Sequence, residues 1–254
     1  NLQNIPVRTD LGAEIRKMFV PKEGCVLVDA DYSQIELRVL AHIADDTVMQ
    51  EAFKSGLDVH TVTASQVFHV PFEEVTPLQR RNAKAVNFGI VYGISEFSLA
   101  EDLGVGRYEA KDYIESYLDH YRGVRRYMKQ VVVDARDCGY TQTIYGRRRS
   151  IPELKSSNFN VRSGAERIAL NTPIQGTAAD LIKLAMIRVD AALRERFPQA
   201  KLILQVHDEL IVDAPEGEAE TIRQLMESCM EQVADLKVKL IAEAATGKSW
   251  YDTK

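Results

Sequence analysis

Short apolar segments near the two ends of the chain predict strands. Cys25–Ala30 (CVLVDA) is apolar and rich in β-branched residues, which indicates a buried strand that ends at Asp31. Lys201–Val206 and Leu210–Val212 indicate two further strands, with the polar segment His207–Glu209 at the tip of a tight hairpin between them. Helices are expected between these strands, so the pattern predicts a mixed α+β fold.

Apolar spacing and boundary residues predict helices over most of the intervening chain. Thr76 is the expected N-cap of a helix that has Pro77 at its first position and continues to Gly89. A long helical stretch is expected over Arg162–Phe197, interrupted at Pro173 because proline has no backbone N–H to donate. The other predicted elements are helices over Ile35–Ala44, Val59–Phe68, Tyr108–His120, Val124–Cys138 and Glu218–Leu236, and a hairpin over Thr141–Ile151.

Composition narrows the class of protein. The 254 residues suffice for one large domain or two intertwined ones, and 45% hydrophobic with 27% charged residues is ordinary for a soluble globular protein. No apolar run approaches the roughly 20 residues of a membrane helix. Three separated cysteines predict neither a disulfide framework nor a zinc site, and they fit a reducing compartment. The chain begins at Asn1 in a polar stretch, so we expect an excerpt of a longer polypeptide.

The charge is segregated along the chain. The net charge of −5 argues against a nucleic-acid partner, but eleven basic residues stand against four acidic ones between Arg122 and Arg167. Between Asp208 and Asp235, nine acidic residues stand against one basic residue. A basic face that binds phosphates would give this distribution, and so would two solvated helix faces of opposite sign. Charge alone leaves these two alternatives equal.

Two acidic motifs stand at predicted strand ends. Asp31 follows a buried strand and precedes a helix, which holds its carboxylate rigidly with one open side, as a hard cation such as Mg²⁺ requires. Asp208 and Glu209 are adjacent acids between apolar strands, where burial of charge is costly unless a cation compensates it. The alternatives are a helix N-cap for Asp31 and an ordinary hairpin turn for Asp208.

Four residues spaced by four predict a functional face on one helix. Arg80, Lys84, Phe88 and Tyr92 stay close to one side of an α-helix, because four residues slightly exceed one turn. The two cations suit a triphosphate, and the two aromatic rings suit a base or a sugar. The alternative is a solvated basic end that continues into a buried aromatic end.

Five segments in this order resemble the family A DNA polymerases of the bacterial DNA polymerase I type, and the resemblance extends from Asn1 to Asp252. Two motifs carry the acids and one carries the cation–aromatic stripe. The segments are NLQNIP at the start, Asp31–Arg38 (DYSQIELR), Arg80–Gly93 (RRNAKAVNFGIVYG), Thr172–Leu181 (TPIQGTAADL) and Val206–Leu210 (VHDEL).

The resemblance implies a right-hand polymerase fold. Its palm is an antiparallel sheet with helices, expected over residues 1–41 and 158–254, and its helical fingers are expected over residues 42–157. The thumb lies upstream in the family and is expected to be absent here, as are any exonuclease domains.

The resemblance also implies roles for the acids. Asp31 and Asp208 would hold two Mg²⁺ ions, for which Mn²⁺ would substitute, with the Tyr32 carbonyl as a further ligand. Glu209 would be an accessory acid near the primer terminus, and its alternative is a surface carboxylate. Lys84 would protonate the departing pyrophosphate.

Further residues would bind the nucleotide and the DNA. The alternative for His60 is a purely structural role. The alternative for Asn171 and Gln175 is helix capping around Pro173. Arg147–Arg149 match no family position, so a template contact and a solvated turn are equal alternatives. The implied nucleotide contacts are Gln34, Glu36, His60, Arg80, Lys84, Phe88 and Tyr92, with Glu36 excluding a 2′-hydroxyl. The implied DNA contacts are Gln3, Asn4, Arg162, Arg167, Asn171, Gln175 and His207.

The expected function is template-directed DNA synthesis by two-metal phosphoryl transfer, in replication and repair. Primer-template DNA and deoxynucleoside triphosphates are the expected partners, with no membrane, for a monomer in the bacterial cytoplasm at the nucleoid. One alternative is a thumbless fragment that binds DNA without turnover of its own. Another is a single-subunit RNA polymerase, against which Gln34 and Glu36 argue.

Overall fold

The chain folds into two compact units in a computed structural model that describes residues 2–5 and 10–254. The sheet unit consists of Asn1–Ile35, Ala178–Asp235 and Leu240–Lys254. The helical unit consists of Glu36–Thr177 and Leu236–Lys239. Antiparallel sheet and helices occur together, which confirms the α+β prediction.

Helices account for most of the described residues. None of the helices in the described ranges combines the length and apolarity needed to cross a bilayer. The helices are α1 (Asp10–Ile15), α2 (Ile35–Ile43), α3 (Thr47–Lys54), α4 (Val59–Phe68), α5 (Pro77–Val91), α6 (Glu96–Leu103), α7 (Arg107–His120), α8 (Arg122–Cys138), α9 (Phe159–Arg196) and α10 (Ala219–Glu231). The strands are β1 (Cys25–Tyr32), β2 (Tyr140–Gln142), β3 (Arg148–Ser150), β4 (Lys201–Val206), β5 (Glu209–Pro215) and β6 (Ala242–Gly247).

The sheet unit is organised around β1. The sheet has the order β4-β5-β1-β6, and each neighbouring pair is antiparallel. Because side chains alternate across a strand, Leu27, Asp29 and Asp31 share one face of β1. Leu27 packs on this face with Trp250, which is fully buried. On the opposite face, the Tyr32 hydroxyl donates to the Met230 carbonyl of α10 over 2.7 Å.

The hairpin between β4 and β5 is tighter than the sequence predicts. Val206 pairs with Glu209, so only His207 and Asp208 form the turn. His207 has a left-handed φ of 50°. The favoured two-residue hairpin turns require a positive φ at their first central residue, which is the position of His207. Our placement of Glu209 at the hairpin tip was therefore wrong, because Glu209 is the first residue of β5.

Helix α5 follows the predicted pattern. The Thr76 hydroxyl accepts from the Gln79 backbone N–H, and the Gln79 side chain accepts from the Thr76 N–H, which forms a capping box ahead of Pro77. The helix buries Ala83, Val86 and Ile90 in the helical unit. Arg80 and Lys84 on the same helix remain exposed to solvent.

Helix α9 continues through Pro173, so the predicted interruption was wrong. Proline cannot donate to the carbonyl four residues earlier, which here belongs to Ala169. The Thr141 hydroxyl lies 3.5 Å from the Ala169 oxygen and donates to it instead. The Tyr127 hydroxyl donates to the next carbonyl, that of Leu170, over 3.1 Å. The Thr141 hydroxyl thus replaces the backbone donor that α9 lacks at Pro173, and the Tyr127 hydroxyl adds a hydrogen bond at the neighbouring carbonyl.

Four of these helices and strands were not predicted, and α10 ends at Glu231 rather than at Leu236. Helix α6 has the boundary signals of a helix, since Ser95 caps its start and Gly104 ends it with a φ of 67°. Strand β6 (AEAATG) has little intrinsic strand preference, and its pairing with β1 determines its conformation. Helices α1 and α3 are the other two such elements.

The buried carboxylate of Asp46 joins two helices of the helical unit. One oxygen accepts from the Met49 N–H at the start of α3 over 2.9 Å. The other accepts from the N–H groups of Gly123 and Val124 at the start of α8, over 2.7 and 3.2 Å. A Cβ atom on Gly123 would lie 2.7–2.8 Å from Asp46 atoms, so only glycine permits this approach.

Gly123→Ala is expected to destabilise the protein by about 3 kcal/mol, because the added methyl group would separate Asp46 from its donors. Urea unfolding followed by circular dichroism measures the change. Gly164→Ala is the matched control in α9, where nothing lies within 4 Å of the added Cβ. This control should be stabilised by up to about 1 kcal/mol. Equal effects of the two substitutions would contradict the packing argument.

Candidate active site

Acidic side chains converge at one end of the sheet unit. The β1–β5 register places Asp31 opposite Glu209, and the Tyr32 N–H donates to the Asp208 carbonyl over 3.2 Å. Asp31, Asp208 and Glu209 line the same open cavity of about 510 Å³, together with Lys254. The structure thus brings together the two acids that are about 180 residues apart in the sequence.

The electrostatics of Asp208 reflect this convergence. Burial is the main cause that raises the pKa of Asp208, and the negative charge of Asp31 raises it further, to about 6. The charge of Glu209 acts in the same direction. Such mutual repulsion indicates a site that favours the binding of a cation.

Glu209 is a buried member of this cluster. Only 5% of the residue is exposed, and its carboxylate forms an ion pair with Lys254. The alternative of a surface carboxylate was therefore wrong. Its burial follows from its position in β5, where its side chain lies on the same face as that of Asp31.

Sequence reasoning missed Asp29, which belongs to the same cluster. Burial and the charge of Glu209 raise the pKa of Asp29 to about 6, while Lys254 acts against the rise. The hydroxyl of Thr253 donates to its Oδ2 atom over 2.9 Å. Strand alternation could have identified Asp29, because it lies two residues before Asp31 on the same face of β1.

The donor atoms of the cluster fit a hard divalent cation. Oδ1 of Asp29, Oδ1 of Asp31 and Oε1 of Glu209 are buried without a hydrogen-bond partner. Carboxylate oxygens are the ligands that Mg²⁺ prefers. Within residues 2–5 and 10–254, however, no three His, Cys, Asp or Glu side chains are arranged as a ready metal site. In place of such an arrangement, the ammonium group of Lys254 lies among the carboxylates.

Polar groups predicted to contact DNA lie beside the same hairpin turn. Nε2 of His207 is 3.0 Å from the Gln3 carbonyl oxygen, and Asn4 is exposed in the same short 3-10 turn as Gln3. The Gln205 amide donates to the His207 carbonyl over 2.6 Å. Gln34 follows β1 with a left-handed φ of 55°, and its Oε1 atom is buried without a partner.

In the helical unit, Arg80 forms a two-pronged ion pair with Asp58. Its Nε and Nη2 atoms donate to the two carboxylate oxygens over 2.7 and 3.0 Å. Asp58 is also the N-cap of α4, where it accepts from the N–H of Thr61 over 2.9 Å. Burial opposes ionisation of Asp58, but Arg80 and Thr61 outweigh it and lower its pKa to about 2. The pair holds the Arg80 guanidinium at the exposed side of α5.

Arg80, Lys84, Phe88 and Tyr92 form the α5 stripe, and Lys84 and Phe88 lie along the same side of the helix as Arg80. Nζ of exposed Lys84 is 5.9 Å from the Phe88 ring centroid, and the Phe88 ring is 6.0 Å from that of His60. Only 3% of His60 is exposed, and its Nδ1 is 3.0 Å from the Asn87 amide nitrogen. Burial, with the charges of Lys84 and Arg80, lowers the pKa of His60 to about 4, so it is neutral at pH 7.

Tyr92, Glu36 and Gln175 form one hydrogen-bonded group in the helical unit. The Tyr92 hydroxyl donates to Oε2 of Glu36 over 2.9 Å, and Gln175 hydrogen-bonds to the same carboxylate. Burial raises the pKa of Glu36 in spite of these bonds. Residues from α2, α9 and the end of α5 are thereby joined.

Helix α9 presents Arg167, Asn171 and Gln175 at four-residue steps. Arg167 and Gln175 are exposed, and Oδ1 of Asn171 is buried without a partner. Because α9 is continuous, the capping alternative for Asn171 and Gln175 was wrong. Nearer the start of α9, Nη1 of Arg162 donates to the Ser156 carbonyl over 2.9 Å.

The arginine-rich hairpin is exposed at all three arginines. The Arg148 guanidinium lies 4.5 Å from the Tyr140 ring centroid, and Arg149 donates to the Thr172 hydroxyl over 3.4 Å. The hairpin therefore offers cationic groups to solvent without a specific acidic partner for Arg148 or Arg149 among the contacts of the described residues.

Comparison with known proteins identifies the relatives of the chain. The sequence profile of DNA polymerase family A matches residues 1–252. DNA polymerase I of Lactococcus lactis subsp. cremoris (strain MG1363) is 54% identical over 255 residues, which cover 100% of this chain and 29% of that protein. DNA polymerase I of Bacillus subtilis (strain 168) gives the same identity and the same coverage. The chain thus spans about 29% of the length of these relatives.

A solved structure shares the fold. It is the POL domain of Pol1 from M. smegmatis, in complex with DNA primer-template and dNTP. The TM-score is 0.95 at 48% sequence identity, and the match covers 100% of this chain and 45% of that one. The resemblance that the sequence motifs indicate is confirmed, and this chain belongs to DNA polymerase family A.

Proposed function

We propose that this chain carries the site at which a DNA polymerase extends a primer on a template. The observation that carries the proposal is the convergence of Asp31 and Asp208 on one cavity, where the charge of Asp31 disfavours ionisation of Asp208. The similarity to a polymerase domain in complex with primer-template and dNTP supports it. Because the chain spans only part of its relatives, the activity is proposed for the polypeptide that contains it.

The acid cluster would hold the metal ions of the reaction. Asp31 and Asp208, with the Tyr32 carbonyl, would bind two Mg²⁺ ions, or Mn²⁺ in their place. When bound, divalent ions lower the pKa of a primer 3′-hydroxyl and neutralise the charge of a triphosphate. Glu209 adds negative charge beside them, which keeps the cluster attractive to cations and places an acid near the primer terminus.

The α5 stripe would bind the triphosphate of the incoming nucleotide. Arg80 and Lys84 supply positive charge on the accessible side of the helix, and Lys84 can transfer a proton to the departing pyrophosphate oxygen. Phe88 offers an aromatic face for the sugar and base. His60 is buried and neutral, so its proposed phosphate contact would be a hydrogen bond rather than an ion pair.

The Tyr92–Glu36 pair would distinguish deoxyribose from ribose. The Tyr92 hydroxyl holds the Glu36 side chain, and a side chain of this size against the sugar would exclude a 2′-hydroxyl sterically. Gln34 is proposed to lie beside the same sugar. Comparison of dNTP with rNTP incorporation checks this assignment, and equal use of both substrates would support an RNA polymerase instead.

The remaining polar residues would hold the primer-template. Minor-groove acceptors occur in every correct base pair, so amides and basic groups can test pair geometry without reading sequence. We propose this role for Gln3, Asn4 and His207 in the sheet unit, and for Arg162, Arg167, Asn171 and Gln175 in the helical unit. We assign the palm to residues 1–41 and 158–254 and the fingers to residues 42–157. The compact units divide the chain at 35/36, 177/178, 235/236 and 239/240.

The oligomeric state, cellular location and cellular process are proposed from membership of the family. The polymerase would act as a monomer in the bacterial cytoplasm, at the nucleoid, during replication and repair. A comparison of primer extension by this chain alone with extension by a longer protein that includes the upstream segment tests the alternative of a DNA-binding fragment. Extension only by the longer protein would favour that alternative for the chain itself.

Asp208→Ala is expected to reduce primer extension by about a thousandfold or more, because the metal ions would lose a shared ligand. The assay uses the longer protein with Mg²⁺, primer-template and dNTPs, and circular dichroism verifies that the fold is intact. Asp235→Ala, at an exposed acid of the same unit, is the control and should retain activity. Near-normal extension by the Asp208 variant would refute its role as a metal ligand.

Lys84→Ala is expected to weaken nucleotide use by about tenfold to a hundredfold while leaving primer-template affinity nearly unchanged. The removed charge is assigned to the triphosphate rather than to the DNA. Separate titrations of dNTP in single-turnover extension and of labelled primer-template measure the two effects. Arg81→Ala, an exposed neighbour on α5, is the control. A loss confined to DNA binding would contradict the assignment.

Metal affinity should depend on pH near the raised pKa of Asp208, about 6. Below that pH a proton occupies the carboxylate, so Mn²⁺ binding should weaken about tenfold for each unit of further acidification. Above pH 7 the carboxylate is ionised and the affinity should level off. Mn²⁺ titration by electron paramagnetic resonance from pH 5 to pH 8 measures the profile. A flat profile would show that protonation of this cluster does not compete with the metal.

A further inference from the structure

Lys254 lies within the acid cluster, although no sequence motif indicates it. Its Nζ is 3.2 Å from Oδ2 of Asp29 and 3.3 Å from Oδ2 of Asp31, and it also forms an ion pair with Glu209. One ammonium group therefore contacts three carboxylates that come from two neighbouring strands. The Lys254 side chain is 36% exposed, so solvent reaches it from the cavity that it lines.

The segment before Lys254 is anchored firmly. Trp250 is fully buried, its ring meets the Phe19 ring edge-on with the centroids 5.3 Å apart, and its backbone N–H donates to the Phe19 carbonyl over 2.9 Å. The Thr253 hydroxyl donates to Oδ2 of Asp29 over 2.9 Å. These contacts fix the backbone next to the cluster. The position of the Lys254 ammonium group is thus a consequence of core packing rather than of a surface ion pair alone.

The charge balance explains why a cation is needed there. Asp29 and Glu209 are buried, and Asp31 and Asp208 face the same cavity. Carboxylates packed this closely repel one another, and the repulsion grows where protein replaces water. Lys254 offsets the repulsion by contacting three of them at once. A divalent ion on the same carboxylates would offset it as well, and it would repel the ammonium group.

We propose that Lys254 is the internal counter-ion of the acid cluster, which stabilises the metal-free protein and is displaced from the carboxylates as divalent ions bind. This inference rests on the proposed function, since it assigns the cluster to metal ions. Lysine suits the role because its ammonium group is a compact charge on a flexible stem that can swing into solvent without moving the anchored backbone. Lys254 would thereby set the metal affinity as a positioning residue.

Lys254→Met tests the inference, because methionine keeps a similar length and removes the charge. Mn²⁺ binding is measured without DNA or nucleotide, and thermal melting is measured in EDTA and in saturating Mn²⁺. The variant should bind Mn²⁺ about fivefold to tenfold more tightly, because the competing cation is gone. Its melting temperature should fall by several degrees in EDTA, and Mn²⁺ should remove most of that difference.

Two further variants control the experiment. Lys254→Arg keeps the charge and should melt in EDTA close to the unaltered protein, which shows that charge rather than a general folding defect is responsible. Lys248→Met removes an equal charge from an exposed ion pair with Glu216 in the same unit, and it should change neither measurement.

The possible results separate the two proposals. Normal Mn²⁺ binding by the unaltered protein with no response to Lys254→Met in either measurement would overturn the counter-ion role alone. Weaker Mn²⁺ binding by Lys254→Met would also overturn it, because the lysine would then support the metal rather than compete with it. Absence of Mn²⁺ binding by the unaltered protein would overturn the proposed metal site and, with it, the displacement.

Discussion

The antiparallel pairing of β1 with β5 determines where the acidic side chains of this chain can meet. Its register places Asp31 opposite Glu209, and strand alternation then brings Asp29 and Glu209 onto the same face. A shift of one residue would turn these side chains to the other face of the sheet, toward α10. The apolar contact of Leu27 with Trp250 at the other end of β1 opposes such a shift. Hydrophobic packing therefore fixes the geometry of the charged site.

The same arrangement carries an electrostatic cost. Acids that are buried together have raised pKa values, as Asp29 and Asp208 show, because each carboxylate loses water and gains a negative neighbour. Sheets do not normally place such groups on one face. The strands tolerate them because Lys254 and the Thr253 hydroxyl contact Asp29, and because the cavity leaves one side of the cluster open to solvent. The fold itself thus concentrates negative charge at one open cavity.

Much of this architecture could be predicted from the sequence, and the exceptions have physical reasons. The Thr76–Pro77 start of α5 and the strand β1 follow from local signals. The path of α9 through Pro173 could not be predicted, because the hydroxyl of Thr141 that satisfies the helix comes from a distant segment. Strand β6 was missed since its alanine-rich sequence acquires its conformation from β1. Asp31 and Asp208 stand in recognisable motifs, whereas Lys254 reaches the cluster only through tertiary packing.

The double role of Asp58 has a consequence for how Arg80 can act. Asp58 caps α4 through the N–H of Thr61 and holds Arg80 through its two carboxylate oxygens. An exposed ion pair of this kind contributes no more than about 1 kcal/mol of stability. A polyanion can therefore replace Asp58 as the partner of the guanidinium at a small cost in free energy. When Arg80 leaves, the cap remains, and α4 does not unravel. The arginine is therefore held ready in a defined orientation by a partner that can release it without loss of structure.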